Sequence, residues 1–383
     1  MNILIAPDSF KGSLSSLEAS ARIESGIRRV FLESNIVCAP IGDGGEGTMD
    51  SLVQSLGGKY HEVQVRNPNG DLIFARFGEL KNGSAIIEMA ESSGLTLIDM
   101  DKLDIMNATS FGFGELIKSA LDLGCREIFL CIGGSATNDG GVGMLQALGV
   151  SFKDNSGNEI SFGGGSLGLV SIIDTEGLDR RLRESKLKVL CDVNNPLIGK
   201  NGASFIYGPQ KGANEDQVLI LDENLSHYAD IVEKSIHKKI RQIPGVGAAG
   251  GVGFALLGFL DAELLSGVEF VMDMLEIDKL IEWADLVVTG EGKIDEQSVF
   301  GKVIAGIRSR STKYNKPVIA LGGSISDGVE PLYKSGISTL EPSVCKPMTI
   351  EEACVHAGKY LENASERVMR AINVGIQLKE KEC

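Results

Sequence analysis

The chain of 383 residues has little that would take it to nucleic acid, into a membrane or into an oxidising compartment. It carries 52 Asp and Glu against 37 Lys and Arg, a formal net charge of −15. The basic footprint that nucleic-acid binding requires is therefore missing, and the same balance disfavours an anionic lipid surface. The longest apolar run, residues 251–260, is too short to span a bilayer. The N-terminus has neither the basic region nor the long apolar core of a signal peptide. Seven cysteines are scattered at Cys38, Cys125, Cys131, Cys191, Cys345, Cys354 and Cys383. No pair has the CxxC spacing of a zinc or redox site, and Cys125, Cys131 and Cys191 sit in or beside apolar runs, which fits buried thiols in a reducing cytoplasm. The four histidines, His61, His227, His237 and His356, all lie outside the glycine-rich loops. That argues against a Ser-His-Asp hydrolase and against a histidine-ligated metal. The phosphate loop GxxxxGK[ST] and the protein-kinase signatures are absent, as are fixed-period repeats and low-complexity tracts.

What is abundant is glycine, 48 residues of it, in a chain whose hydrophobic fraction of 43% and charged fraction of 23% are ordinary for a globular protein. Four glycine-rich stretches each carry an acid, an amide or a lysine: Asp43-Gly44-Gly45-Glu46-Gly47-Thr48, Gly133 through Gly141, Gly208-Pro209-Gln210-Lys211-Gly212-Ala213, and Thr289-Gly290-Glu291-Gly292-Lys293-Ile294-Asp295. Glycine lets backbone N–H groups approach a ligand closely, and a concave set of such groups cradles phosphate. Interleaved carboxylates cannot bind phosphate directly, but they can hold Mg²⁺, which can. The composition points to metal-assisted phosphoryl chemistry on a small substrate.

The length predicts two domains. Strands at 2–6 and 35–41 alternate with helices at about 15–31 and 48–56, the first opened by the capping-box spacing Ser15-Ser16-Leu17-Glu18. Short strands at 60–65, 71–77 and 85–88 follow, joined by turns such as Asn67-Pro68-Asn69-Gly70. A helix at 110–123, strands at 127–132 and 187–191 and a long helix at 216–239 come next. Strand 284–289 is expected to end in a glycine-acid loop before a helix at 299–310, a strand at 317–321 and a helix from 349 onward. The predicted architecture is α/β with two domains. One is a discontinuous Rossmann-like parallel sheet from both chain ends, residues 1–70 and 280–383. The other is an inserted α/β domain, residues 71–279, with the active site in the interdomain cleft. In open parallel sheets ligands bind at the carboxyl ends of the strands, which is where these loops fall.

Residue by residue, Lys11 after the first strand can reach phosphate oxygens, and Asp8 with Ser9 can hold metal or a substrate hydroxyl. Asp43 or Glu46 is a candidate metal ligand or general base. Ser135, Thr137 and Asn138 suit carboxylate or phosphate recognition, with helix capping by Asn138 or Asp139 as the plain alternative. Asp192 ends a buried strand, where a carboxylate needs a cation or N–H partners, and Asn195 lies beside it. Lys211 is a candidate phosphate clamp. Glu291, Lys293 and Asp295 form the last cluster, with Ser298 and Gly301-Lys302 close behind.

Two rival readings remain. Gly42-x-Gly44-x-x-Gly47 matches a dinucleotide fingerprint and has Glu62 about twenty residues on, as an NAD-dependent dehydrogenase of a small hydroxy acid would. Yet the same spacing recurs at Gly163/Gly165/Gly168 and Gly245/Gly247/Gly250, and Asp43 puts a negative charge where the pyrophosphate must approach. A phosphate-binding protein without catalysis would not need so many acids and lysines in its loops.

Taken with Ala6 through Gly12, Cys191-Asp192-Val193, Asn195-Pro196-Leu197 and Pro244 through Gly251, these stretches closely resemble the bacterial type I glycerate kinases of sugar-acid and glyoxylate utilisation, from one end of the chain to the other. The resemblance implies ATP-dependent phosphorylation of D-glycerate, with 2-phosphoglycerate as product and phosphorylation at C3 as the alternative. It implies ATP as the phosphoryl donor, while the acidic loops point to Mg²⁺ as a second cofactor and the net charge of −15 leaves no expected nucleic-acid or membrane partner. On physical grounds Asp43 or Asp192 would accept or orient the glycerate hydroxyl. Asp192, Glu291 and Asp295 would hold Mg²⁺, and Lys11 and Lys211 would neutralise phosphate. Asp8, Ser9, Ser135, Thr137, Asn138 and Asn195 would bind substrate, and Gly44, Gly45, Gly133, Gly134, Gly290, Gly292 and Lys293 would line the nucleotide.

Overall fold

A computed structural model describes residues 1–299 and 302–382; Gly301 and Cys383 lie outside the described residues. The strands, in chain order, are β1 (Asn2–Ile5), β2 (Asn35–Cys38), β3 (Lys59–Arg66), β4 (Leu72–Glu79), β5 (Ala85–Glu88), β6 (Glu127–Cys131), β7 (Ser151–Lys153), β8 (Ile172–Asp174), β9 (Lys186–Leu190), β10 (Glu263–Leu265), β11 (Leu286–Ile294), β12 (Val318–Ile325) and β13 (Thr339–Pro342). They divide between two compact units. The first comprises Met1–Asp43, Asp50–Ser55 and Val268–Cys383; the second comprises Gly44–Met49 and Leu56–Gly267.

The first unit is built on a parallel five-stranded sheet of order β13-β12-β11-β1-β2. Strand β1 lies between β11 and β2 and reads as a continuous apolar run because both its faces are covered: Ile3, Leu4 and Ile5 are fully buried. The helix Ser16–Arg28 begins at Ser15, whose hydroxyl accepts the Glu18 N–H while Glu18 caps back, so the capping box read from sequence forms. Its Gly26 lies so close to the C-terminal helix Ala357–Glu382 that a Cβ would sit 2.2 Å from the Glu362 carbonyl oxygen. Arg310, 8% exposed, draws Glu269, Asp273 and Asp278 onto one guanidinium and ties three helices together.

One element differs from the sequence reading. The stretch Gly290-Glu291-Gly292-Lys293 is strand, not loop: β11 continues to Ile294, pairing Glu291 with Gly322 and Lys293 with Ser324. Glycine weakens a strand on its own, but here it is required. A Cβ at Gly290 would meet the Leu321 carbonyl oxygen at 2.4 Å, and one at Gly323 would meet the Gly292 carbonyl oxygen at 2.3 Å. Two glycine-rich strands fit where two ordinary ones would not.

The second unit carries a six-stranded sheet of order β10-β9-β6-β5-β4-β3. It is parallel from β10 to β5 and antiparallel from β5 through β4 to β3, the last two forming a hairpin. That hairpin spans residue 70, where the sequence reading sets a boundary, and lies wholly within the second unit, its turn closed by the Asn67 side chain accepting from Asn69 and Asp71 N–H. A two-stranded ribbon, β7–β8, adds to this unit. Its core includes Phe113, Phe129, Phe152, Tyr228 and Phe254. The apolar run near residue 251 forms the helix Ala248–Leu260, whose start contains three left-handed residues, Ala249, Gly250 and Gly251.

Candidate active site

In the first unit the loop after β1 is tied to β11: Ala6 N–H donates to the Val288 carbonyl (2.8 Å), Asp8 N–H to the Gly290 carbonyl (2.9 Å), and Thr289 Oγ1 to the Ala6 carbonyl (2.8 Å). This fixes Asp8 beside the acidic strand. Burial, then the neighbouring Asp43, pushes the Asp8 carboxyl up to about 6; Glu291 adds to the rise, while the Ser9 N–H (2.6 Å) and Lys11 oppose it. Glu291 is raised for the same first reason, burial, with Asp295 adding to it; Ser298 Oγ, which donates to it, and Lys11 hold it down. Lys11 Nζ lies 3.6 Å from Asp43 and is 79% exposed, while Asp43 is 16% exposed. Lys293 Nζ lies 3.2 Å from Asp295. A cavity of about 580 Å³ in this unit joins Asp8, Lys11, Glu291 and Lys293 to an apolar lining that includes Val344, Met348 and Ile350.

In the second unit the Gly44–Met49 loop is held from several sides. Gly44 N–H donates to Thr48 Oγ1 (3.1 Å), and both oxygens of Glu88 accept from the loop, one from Met49 N–H (2.6 Å) and one from Gly47 N–H (3.2 Å). Gly133 packs on Gly45 so tightly that a Cβ would come within 2.7 Å of the Gly45 Cα. The 133–141 loop is in turn held by Ala136 N–H donating to the Ser93 carbonyl and Leu95 N–H to the Gly134 carbonyl, both at 2.9 Å.

Lys211 lies beneath that loop, not on the surface. It is 3% exposed, and its Nζ donates to Ser135 Oγ (2.8 Å) and to the Thr137 carbonyl (2.7 Å). Burial pulls its pKa down to about 7, against the attraction of Asp139. Asp139, fully buried, accepts from Ser110 N–H and Oγ (both 2.8 Å), Gly141 N–H (3.0 Å) and Gly143 N–H (3.2 Å). It therefore does the capping work for the helix that follows. Two polar atoms of the same loop, Thr137 Oγ1 and Asn138 Oδ1, are buried without a hydrogen-bond partner, while Asn138 Nδ2 donates to Ser204 Oγ (2.9 Å). Such orphaned polar atoms, one a hydroxyl and one an amide oxygen, mark a place where a ligand or water completes the set.

Asp192 follows β9 and accepts from Ser266 Oγ and Gly267 N–H, each at 2.9 Å, beside a hollow of about 330 Å³. Asn195 is engaged locally: its Oδ1 accepts from Tyr207 (2.7 Å), its Nδ2 donates to the Asn201 carbonyl (2.8 Å), and its carbonyl receives Gly245 and Gly247 N–H. Two residues that organise the loops, Glu88 and Ser110, escaped the sequence reading. The signal for Glu88 was present, because an acid at the end of the apolar run Ala85-Ile86-Ile87 needs partners just as Asp192 does.

A model of the glycerate kinase family matches residues 3–373. The chain belongs to the glycerate kinase family. It is 46% identical over 378 residues to the glycerate 2-kinase of Escherichia coli K12, covering 98% of this chain and 99% of that one. It is also 46% identical over 375 residues to the glycerate kinase of Bacillus subtilis 168, covering 98% of each chain. The crystal structure of a Salmonella typhimurium LT2 protein assigned as glycerate kinase 2 has the same fold, with a TM-score of 0.87 at 41% identity, covering 98% of this chain and 99% of that one. As a glycerate kinase, this family member is a phosphotransferase whose acceptor is an alcohol, which sets aside the dehydrogenase reading. Among the described residues no helix is long and apolar enough to cross a membrane.

Proposed function

We propose that the protein transfers the γ-phosphoryl group of ATP to the C2 hydroxyl of D-glycerate, giving 2-phosphoglycerate. The observation that carries this reading is the first unit's cavity, in which two exposed lysines and the half-buried acids Asp8 and Glu291 share a wall with apolar side chains. That combination suits a nucleotide, whose base is flat and apolar and whose phosphates are charged. C2 as the acceptor is supported by the name of the Escherichia coli relative.

The donor set also fits a magnesium ion. Among the described residues no group of three or more His, Cys, Asp or Glu side chains forms a ready cage, and Mg²⁺ is commonly held by one or two carboxylates together with substrate phosphates. Glu291 and Asp295 would hold it, with Asp8 and Asp43 close enough to feel the same field. When bound, the ion would neutralise charge on the transferring phosphoryl group.

The chain's own residues supply the rest. Lys11 and Lys293, on flexible exposed stems, would bring positive charge to phosphate oxygens. Asp43 would orient the glycerate hydroxyl and take its proton, with Asp192 the second candidate. Ser135 and Thr137 would present the sugar-acid carboxylate with hydroxyl donors, Asn138 Oδ1 would accept from a substrate hydroxyl, and Lys211 would hold their loop in shape from beneath. The test is ADP release with D-glycerate and L-glycerate, with the product resolved by ³¹P NMR. ADP release with D-glycerate and a phosphorus coupled to the C2 proton are expected. A phosphate on C3 overturns the regiochemistry, and no ADP release overturns the reaction.

A further inference from the structure

Glu88 is a carboxylate, 4% exposed, at the end of β5, and both its oxygens are spent on one loop. Met49 N–H donates to one at 2.6 Å and Gly47 N–H to the other at 3.2 Å. Its charge faces the start of the helix Thr48–Leu56, the positive end of the helix dipole, where an anion is stabilised. These amides are therefore already taken by protein. Gly44 N–H is likewise taken by Thr48 Oγ1.

The residues just beyond Glu88 continue the same task. Ser93 accepts from Ala136 N–H, Leu95 donates to the Gly134 carbonyl, and Ala90 lies against Gly134, whose φ is +74°. Gly133 then closes on Gly45. One short segment, 88–95, thus fixes two glycine loops, and the loops fix each other. A neutral side chain at 88 could accept only one of the two N–H groups and would leave the other facing no acceptor.

We infer that Glu88 is a positioning residue for phosphoryl transfer, which holds the Gly44–Met49 loop, and through the loop the neighbouring acids, in the reactive geometry. This rests on the reading that the loop borders the active site. It assigns the loop's Gly44, Gly47 and Met49 N–H groups to holding its own shape, so that the loop contributes side chains to the chemistry.

The experiment is steady-state kinetics and thermal melting of Glu88→Gln and Glu88→Asp. Glutamine keeps one acceptor and turns an NH₂ toward the loop. Its kcat is expected to fall about tenfold to a hundredfold, as small misplacements do, with KM for ATP within about twofold and Tm within about 5 °C of the parent. Aspartate keeps both oxygens and should recover part of the lost kcat. A Glu88→Gln enzyme with parental kcat overturns the inference. So does a loss of rate matched by a loss of active protein in single-turnover titration, and so does failure of both variants to fold, which would make Glu88 a core residue only. Asp43→Asn and Glu46→Gln separate the two levels. If they abolish turnover while Glu88→Gln does not, only the positioning role fails. If they too are silent, the loop is not at the site.

Discussion

The Lys211 ammonium and the Ser135 hydroxyl lie 2.8 Å apart inside the second unit, with the lysine 3% exposed. A lysine so buried holds its proton poorly. Its pKa falls from 10.5 to about 7, with burial as the main cause. Between those values the unfolded chain carries a proton that the folded one lacks. Stability therefore rises with pH from about 7 toward 10.5, and below 7 the full penalty is in force. Lys211→Met should abolish this slope, which amounts to at most about 1.4 kcal/mol per pH unit. Urea unfolding of both proteins at pH 7 and pH 9.5 measures it; parallel pH dependences would show that Lys211 does not titrate in this range.

Asp8 carries the opposite sign. Its folded pKa of about 6 exceeds the ordinary 3.8, so the folded state holds an extra proton between the two, and stability falls as pH rises through that window. If the ionised form is the one that works, kcat/KM should drop as pH falls through about 6. Asp43→Asn removes the largest charge contribution to that shift and should lower the Asp8 pKa, which carboxyl ¹³C NMR reads without requiring turnover. An Asp8 titration unmoved by Asp43→Asn would mean that another group sets the shift.

The exposed lysines can be removed without harming the fold. Lys11→Ala and Lys293→Ala are each expected to lower kcat/KM on the order of 10²-fold, the usual contribution of one electrostatic donor at a transition state. Tm should change by less than about 2 °C, since exposed ion pairs add little stability. Parental kinetics in both variants would move phosphate binding away from this cavity.

Chelation tests the acidic cluster. EDTA should abolish turnover and excess Mg²⁺ restore it. Glu291→Gln should raise the Mg²⁺ concentration needed for half-maximal rate. Turnover unaffected by EDTA would assign these carboxylates another role.

Arg310 offers a stability test remote from the chemistry. Arg310→Leu leaves Glu269, Asp273 and Asp278 without their shared cation. Because the carboxylates are partly exposed, the expected cost is about 2–3 kcal/mol, the scale of lost charged hydrogen bonds. KM values should hold. Denaturant melts and kinetics on the same preparation check both halves.

Much of the fold was legible in the sequence because local signals and tertiary demand agree there. The Ser15–Glu18 capping box, the apolar β1 and the helix at Thr48–Leu56 each follow from pattern alone. Gly290 through Lys293 did not, because glycine in a strand is legible only when the partner strand is known, and Gly322 and Gly323 lie thirty residues on. In the candidate site, the charged residues could be named but not sorted. Lys11 and Lys211 look alike in glycine-rich surroundings, yet one is 79% exposed and the other is enclosed. Burial depends on what packs above a loop, and a loop's own composition does not record it. Glu88 was missed for a related reason: its partners are backbone N–H groups some forty residues away, and those have no letter in the sequence.

The discontinuity of the first unit sets a timetable for synthesis. Strand β1 takes β11 as a neighbour, and the helix Ser16–Arg28 nests against Ala357–Glu382 through Gly26. When the first fifty-five residues leave the ribosome, β11 is still about 230 residues and the C-terminal helix about 300 residues from being made. At roughly 5–20 residues per second that is a wait of about ten to sixty seconds. The intervening unit, nearly contiguous in the chain, can fold during that interval. The nascent N-terminal strands meanwhile hold exposed apolar edges, the stage at which a chaperone would matter most to the yield of this protein.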